Sequence, residues 1–212
     1  MTKKERMNKK RIRIQNRQLV KKYPWLKPRN VWTNKTPSNY DYTYTELDAM
    51  EDGWRKTFGM MMVEEIDREL KQYHCRDNYR IMQIKEKYGM LRWYDFGAPK
   101  SVYRIIDKYS HISECVCGKC GKLDTPTIDT GWIYPMCFDC YYKVCRYRGI
   151  KRNKAEIEEE YKKITISDDC TIPTSYTVRH LSSDGDWDET IDISETVSKI
   201  RKSQQRRGKT RI

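Results

Sequence analysis

Two motifs, Cys117-Gly118-Lys119-Cys120 and Cys137-Phe138-Asp139-Cys140, stand sixteen residues apart and constrain this 212-residue chain more than any other feature. Each Cys-x-x-Cys turn supplies two thiolates, and two such turns close a tetrahedral zinc site with each sulfur about 2.3 Å from the ion. Gly118 and Gly121 flank the first pair, where the chain must curl so that backbone amides point toward sulfur. Between the pairs, Asp124-Thr125-Pro126 and Thr130-Gly131 punctuate short apolar pieces, the pattern of the two-stranded excursion in a zinc ribbon. The alternative is a disulfide or redox role, against which the N-terminus shows no apolar h-region and no cleavage signal. Four cysteine ligands leave no open coordination position, so the expected zinc is a scaffold rather than a catalyst. Cys115 is too close to Cys117 to form a knuckle and reads as a spare thiol beside the site, while Cys145 reads as packing on a helix over residues 138–148. Cys75 and Cys170 have no partner by spacing and are expected to be small buried hydrophobes. His111, four residues before Cys115, reads as a helix-surface residue or as an alternative ligand.

The formal net charge is +13, unevenly distributed. Residues 1–35 hold thirteen Lys and Arg against the single acid Glu5, a net of +12. Residues 196–212 hold seven basic residues and no acid, and the remainder nets −6. The pattern predicts an acidic body with basic, flexible ends: an arm at 1–22 and another at 196–212. The candidate polyanion-binding residues are Lys3, Lys4, Lys9, Lys10, Arg11, Arg13, Arg17, Lys21, Lys22, Arg206, Arg207, Lys209 and Arg211. Such ends fit a solvated tail, a nucleic-acid contact or a dock for an acidic protein face. No apolar run approaches the length of a membrane-spanning helix, and neither end carries an apolar anchor.

Between the ends the chain reads as α+β. Tyr23-Pro24-Trp25 to Trp32 is an extended, proline-punctuated stretch expected to pack on the core through Trp25 and Trp32, and residues 39–44 read as loop or edge strand. From Gly53, Trp54, Phe58, Met61, Met62, Ile66, Leu70 and Tyr73 recur at helical spacing. Residues 81–94 then alternate as a β-hairpin turning at 87–89. Pro99 opens a second helix, carrying Val102, Ile105, Ile106, Tyr109 and Ile112 on one face, that leads into the first knuckle. Asn153 and Glu156 form a capping box for a helix over 154–164. Strands at 176–181 and 190–193 flank the turn Ser182-Ser183-Asp184-Gly185. The carboxylates at 184, 186, 188, 189 and 192 read as a solvated acidic loop, since they lack the glutamate-terminated spacing of an EF-hand calcium site. The expected organisation is an N-terminal arm (1–22), an α+β core (23–114), a zinc ribbon (115–148), a C-terminal helix and hairpin (149–195) and a C-terminal arm (196–212).

The run Gln83 to Tyr94, the following helix, Cys117 to Gly121 and Gly131-Trp132 resemble small, mostly uncharacterised zinc-ribbon proteins of bacteriophages and prophages. Tyr23 to Trp32, Asp41 to Asp48 and Gly53-Trp54-Arg55-Lys56 are similar to the longer members of that group, so the resemblance spans roughly residues 20–145. It implies an accessory protein acting in the bacterial host cytoplasm, where such genes often encode inhibitors of host defence, including anti-CRISPR proteins. His74, His111 and His180 are scattered and belong to no catalytic motif, so the chain reads as non-enzymatic. Two functions are therefore expected. One is a factor that binds and inhibits a host protein complex, such as a CRISPR nuclease; the other is a DNA- or RNA-binding zinc-ribbon protein or transcriptional modulator using the basic ends. The charge distribution favours the first, because residues 117–140 hold Lys119 and Lys122 against Asp124, Asp129 and Asp139.

Overall fold

A computed structural model describes residues 2–30, 32–167, 170–180 and 186–209. It is a mixed helical and antiparallel-sheet structure: seven α-helices among the described residues and three separate two-stranded sheets. The chain divides into two compact units. Unit 1 comprises residues 1–51, 59–86 and 92–106, and unit 2 comprises 52–58, 87–91 and 107–212, so single helices and one hairpin contribute to both.

Unit 1 begins with α1 (Lys3–Lys22), where flexible chain was expected. Thr2 and Glu5 form a reciprocal capping box, which satisfies two backbone donors at the helix start. The helix is tied down further along by buried Asn16 and Val20, by an Asn16 amide bond to the Tyr42 carbonyl and by an Arg13–Asp41 ion pair. Those contacts offset the ordering entropy that a free basic tail could not recover. A short 3-10 turn, Pro24–Leu26, then buries Trp25 and Leu26.

Trp25 is the centre of unit 1. It meets the edges of Tyr79 and Trp93 at ring separations of 5.3 and 6.4 Å, and its indole N–H donates to Asp67 at 3.0 Å. Asp67 lies on α3 (Met60–Gln72), whose Met62, Ile66 and Leu70 are buried at the predicted helical spacing, joined by Val63, whereas Tyr73 falls past the helix end and is exposed. α3 follows a helical turn α2 (Asp52–Trp54) and a π-helical turn at Arg55–Gly59. Trp32 differs from expectation: it is 91% exposed. The Asn30 side chain accepts from the amides of Trp32 and Thr33, making a local turn that directs the ring outward.

The predicted hairpin forms between β1 (Arg80–Lys87) and β2 (Met90–Phe96). Its two turn residues, Tyr88 and Gly89, both have positive φ, of 55° and 81°, as a tight two-residue hairpin turn requires. Ile81, Ile84, Leu91 and Trp93 are buried, whereas Tyr94 and Phe96 are exposed. The chain continues through α4 (Lys100–Ser113), with Val102, Tyr109 and Ile112 buried.

In unit 2, the segment between the cysteine pairs forms the small hairpin β3 (Thr127–Asp129) and β4 (Ile133–Pro135). α5 (Phe138–Tyr147) and α6 (Lys154–Ile164) pack beside it around Ile128, Tyr141, Cys145, Ile157 and Tyr161. The Asn153/Glu156 capping box is present. β5 (Ser175–His180) pairs with β6 (Trp187–Asp192); the turn at 182–185, including Asp184, lies outside the described residues. The C-terminal basic stretch also differs from the expected arm. α7 (Ser194–Lys209) buries Val197 and Ile200, an apolar pair that gives this helix a face to pack.

Candidate metal centre and charged surfaces

The sulfurs of Cys117, Cys120, Cys137 and Cys140 lie within 4.8 Å of one another. Backbone geometry brings them together: the Gly121 amide donates to the Cys117 carbonyl at 2.8 Å, and the Cys140 amide to the Cys137 carbonyl at 3.0 Å. The two pairs are joined by the Gly118 amide bonding the Pro135 carbonyl at 3.0 Å. Amides also face sulfur: Cys137 N–H meets Cys117 Sγ, and Lys122 N–H meets Cys120 Sγ, both at 3.4 Å.

The donor set suits a metal ion electrostatically. The hydrogen bond from Cys137 holds the Cys117 thiol well below its ordinary value. Burial and the neighbouring thiolate then push Cys140 up to about 12. Cys137 is also pushed up, because its thiol is held by the Cys117 sulfur. Four thiolates at this separation repel one another strongly, and a divalent cation among them reverses that repulsion. Among the described residues these four cysteines form the metal-competent group. His111 is elsewhere, its ring 4.5 Å from that of Tyr176 and its Nδ1 3.3 Å from Glu114.

The first knuckle is enclosed by close-approaching chain. The Gly53 amide donates to the Gly118 carbonyl at 2.7 Å, Thr57 Oγ1 donates to the Gly121 carbonyl at 3.1 Å, and the Trp54 indole donates to the Val116 carbonyl at 2.8 Å. α7 adds a further strap. Arg201 makes a two-pronged contact with Asp124 at 2.7 and 2.8 Å, Gln204 bonds the Gly121 carbonyl, and Arg207 bonds the Lys56 carbonyl. Arg207 is thus engaged with the protein itself. Lys209 ends α7, and Arg211 lies outside the described residues.

Cys115 and Cys170 form a disulfide with a Cα separation of 5.5 Å, correcting the reading of one as a spare thiol and the other as a small buried hydrophobe. Fifty-five residues separate them, and no spacing rule connects such a pair. Cys145 is buried and Cys75 partly buried, both as free thiols.

The basic candidates on α1 divide along the helix. Arg13 pairs with Asp41, Arg17 lies 5.0 Å from the Tyr42 ring, and Lys22 reaches Glu64 and the Tyr23 ring. Lys3, Lys4, Lys9, Lys10, Arg11 and Lys21 are exposed. At 100° per residue, Lys3, Lys10, Arg17 and Lys21 fall along one flank spanning about 27 Å. Three of the acidic residues on and just before β6 have partners: Asp186 meets Arg179 at 3.4 Å, Glu189 meets His180 at 2.9 Å, and Asp192 accepts from the Ser194 amide.

No helix among the described residues is long and apolar enough to cross a membrane. Comparison of the chain with protein-family models, curated proteins and solved structures finds no match.

Proposed function

We propose that this is a non-enzymatic, zinc-held nucleic-acid-binding protein, with zinc at Cys117, Cys120, Cys137 and Cys140 as scaffold and α1 as its phosphate-seeking element. The observation that carries the reading is the ordered, exposed basic flank of α1. Lys3 and Lys4 stand at the positive end of the helix dipole, where cations cost helix stability, so this charge serves something other than the helix. Free, mobile basic ends on an acidic body would leave the body itself unsuited to phosphate. With α1 and α7 folded, most of the basic charge belongs to the body itself. Four thiolates, rather than mixed ligands with an open position, favour a structural zinc.

The test is the salt dependence of duplex and single-stranded binding by the full chain and by a Lys3→Gln, Lys4→Gln, Lys10→Gln variant. Log affinity should fall linearly with log salt, and the variant should have a shallower slope by roughly 0.9 per lost phosphate contact on duplex. Binding that is absent at physiological salt, or unaffected by the substitutions, refutes the assignment to α1.

A second reading is favoured by Trp32 and Tyr147, exposed at 91% and 94%. Large solvated aromatics of this kind anchor protein interfaces. In this reading the protein is a phage or prophage factor in the bacterial host cytoplasm that binds and inhibits a host defence complex, such as a CRISPR nuclease. Recovery of a defined host complex by the wild-type chain, lost on Trp32→Ala or Tyr147→Ala, would favour it over direct binding.

A further inference from the structure

We infer that the outer face of the β1–β2 hairpin is a stacking platform for the bases of a single-stranded nucleic acid. This inference rests on the nucleic-acid reading above and assigns it a second contact that the basic ends do not supply. Tyr94 and Phe96 stand two residues apart on β2, so both rings leave the same face, about 7 Å from one another along the strand. They are 46% and 56% exposed, while Trp93, just before Tyr94, is buried, as strand alternation places it on the opposite face. Each ring is accompanied by a cation from β1: the Arg80 guanidinium lies 4.4 Å from the centroid of Phe96, and the Lys85 ammonium lies 5.4 Å from that of Tyr94. The Arg80 Nε is buried and has no hydrogen-bond partner among the described residues.

This combination selects the ligand. An apolar protein partner would gain from the rings but would leave Arg80 and Lys85 desolvated beside them, at a cost. A duplex offers phosphate to the cations but keeps its base faces stacked inside the helix. An unpaired strand satisfies both: its bases offer π-faces to Tyr94 and Phe96, and its phosphates take the cations as these slide off the rings. The exchange is downhill, because a cation over a solvated ring is held more weakly than a stacked base. The two-residue ring spacing also approximates one nucleotide step of an extended strand, which lets neighbouring bases occupy neighbouring rings. The stacking term tolerates any base, so the platform is expected to bind single strands with little sequence preference.

The experiment uses the full chain and a fluorescein-labelled oligothymidylate about twelve nucleotides long, within the usual single-strand site range, followed by anisotropy at fixed salt. Tyr94→Ala and Phe96→Ala are each expected to weaken binding about tenfold, the double variant about a hundredfold, and Tyr94→Phe to bind nearly as wild type. The double variant should keep the wild-type salt slope, since stacking releases no counterions, whereas the α1 substitutions should alter the slope. Both rings are exposed, so their truncation empties no core; unchanged metal content and melting temperature verify this. A double variant that binds as tightly as wild type overturns the platform and leaves the α1 reading standing. If the wild-type chain binds neither single strand nor duplex, the nucleic-acid reading and the platform fail together.

Discussion

Gly53→Ala is the perturbation whose sign is most informative. Gly53 lies in helical conformation in α2, where Ala is ordinarily favoured over Gly by about 1 kcal/mol. Its Cα, however, stands against the first knuckle. A Cβ built there overlaps the Cys117 carbonyl oxygen and comes within 2.6 Å of the Gly121 nitrogen and 2.7 Å of the Gly118 carbonyl carbon. All three are backbone atoms, so no rotamer change relieves the overlap, and the knuckle must shift away from Gly53. Overpacking of this kind costs about 1–3 kcal/mol, at or above the propensity gain. The displaced atoms belong to the turn that presents Cys117 and Cys120, so the cost also appears as metal affinity, at about tenfold per 1.4 kcal/mol. The assay is zinc release to a chromogenic chelator, paired with thermal melting, for wild type, Gly53→Ala and a Gly149→Ala control, where a Cβ meets nothing within 4 Å. Gly53→Ala should release zinc more readily and melt lower, while Gly149→Ala, whose φ is +75°, should lose melting temperature through backbone strain with its zinc retained. A Gly53→Ala protein that melts at or above wild type with unchanged zinc retention would refute the packing of helix against knuckle.

Three further outcomes follow from particular contacts. Asp67 is 3% exposed and accepts from Trp25, from Arg76 at 2.7 Å and from Lys71 at 2.8 Å. Burial alone would raise its carboxyl, but these partners outweigh burial and hold it below its ordinary value. Asp67→Ala should therefore destabilise by about 3–5 kcal/mol in urea melts, because Arg76 and the indole lose their acceptor; a loss within error would contradict the account of the unit 1 core. Asp95 behaves in the opposite way: burial raises its carboxyl to about 6 despite a 3.4 Å bond from Tyr79. The folded state thus holds a proton that the unfolded chain releases, so the Asp95 contribution is full below about pH 4 and is lost as pH rises through 6. Asp95→Asn should melt higher than wild type at pH 7, with the gap closing toward pH 4; a gap independent of pH would count against it. Opening the Cys115–Cys170 loop of 55 residues should cost up to about 4 kcal/mol of chain entropy. Cys170→Ser should accordingly melt lower than wild type under oxidising conditions and equally under strong thiol reductant; equal melting in both would exclude a stabilising bridge.

What could be read from the sequence followed short-range rules. The two Cys-x-x-Cys pairs, the capping box at Asn153 and the hairpin around Tyr88-Gly89 are encoded within a few residues, and the structure places each where the pattern does. The misses depended on distant partners. Trp25 and Trp32 are equivalent by composition, yet Trp25 found Asp67, Tyr79 and Trp93, whereas the Asn30 turn directed Trp32 outward. The two basic ends resembled tails because charge dominates them. Val20 at one end, and Val197 and Ile200 at the other, supply sparse apolar contacts, and Asp41 and Asp124 supply counter-charges from far along the chain. Cys115 and Cys170 could not be paired without knowing that the segment before β5 returns to the end of α4.

Native mass spectrometry of the purified full chain, mixed with a single-stranded oligonucleotide at about 0.15 M ionic strength, tests both halves of the proposed function in one spectrum. The predicted species is a single chain carrying one zinc ion and one oligonucleotide, with the zinc absent from a Cys137→Ser protein. A wild-type chain free of metal, or a zinc-loaded chain that never takes up the strand, would contradict it.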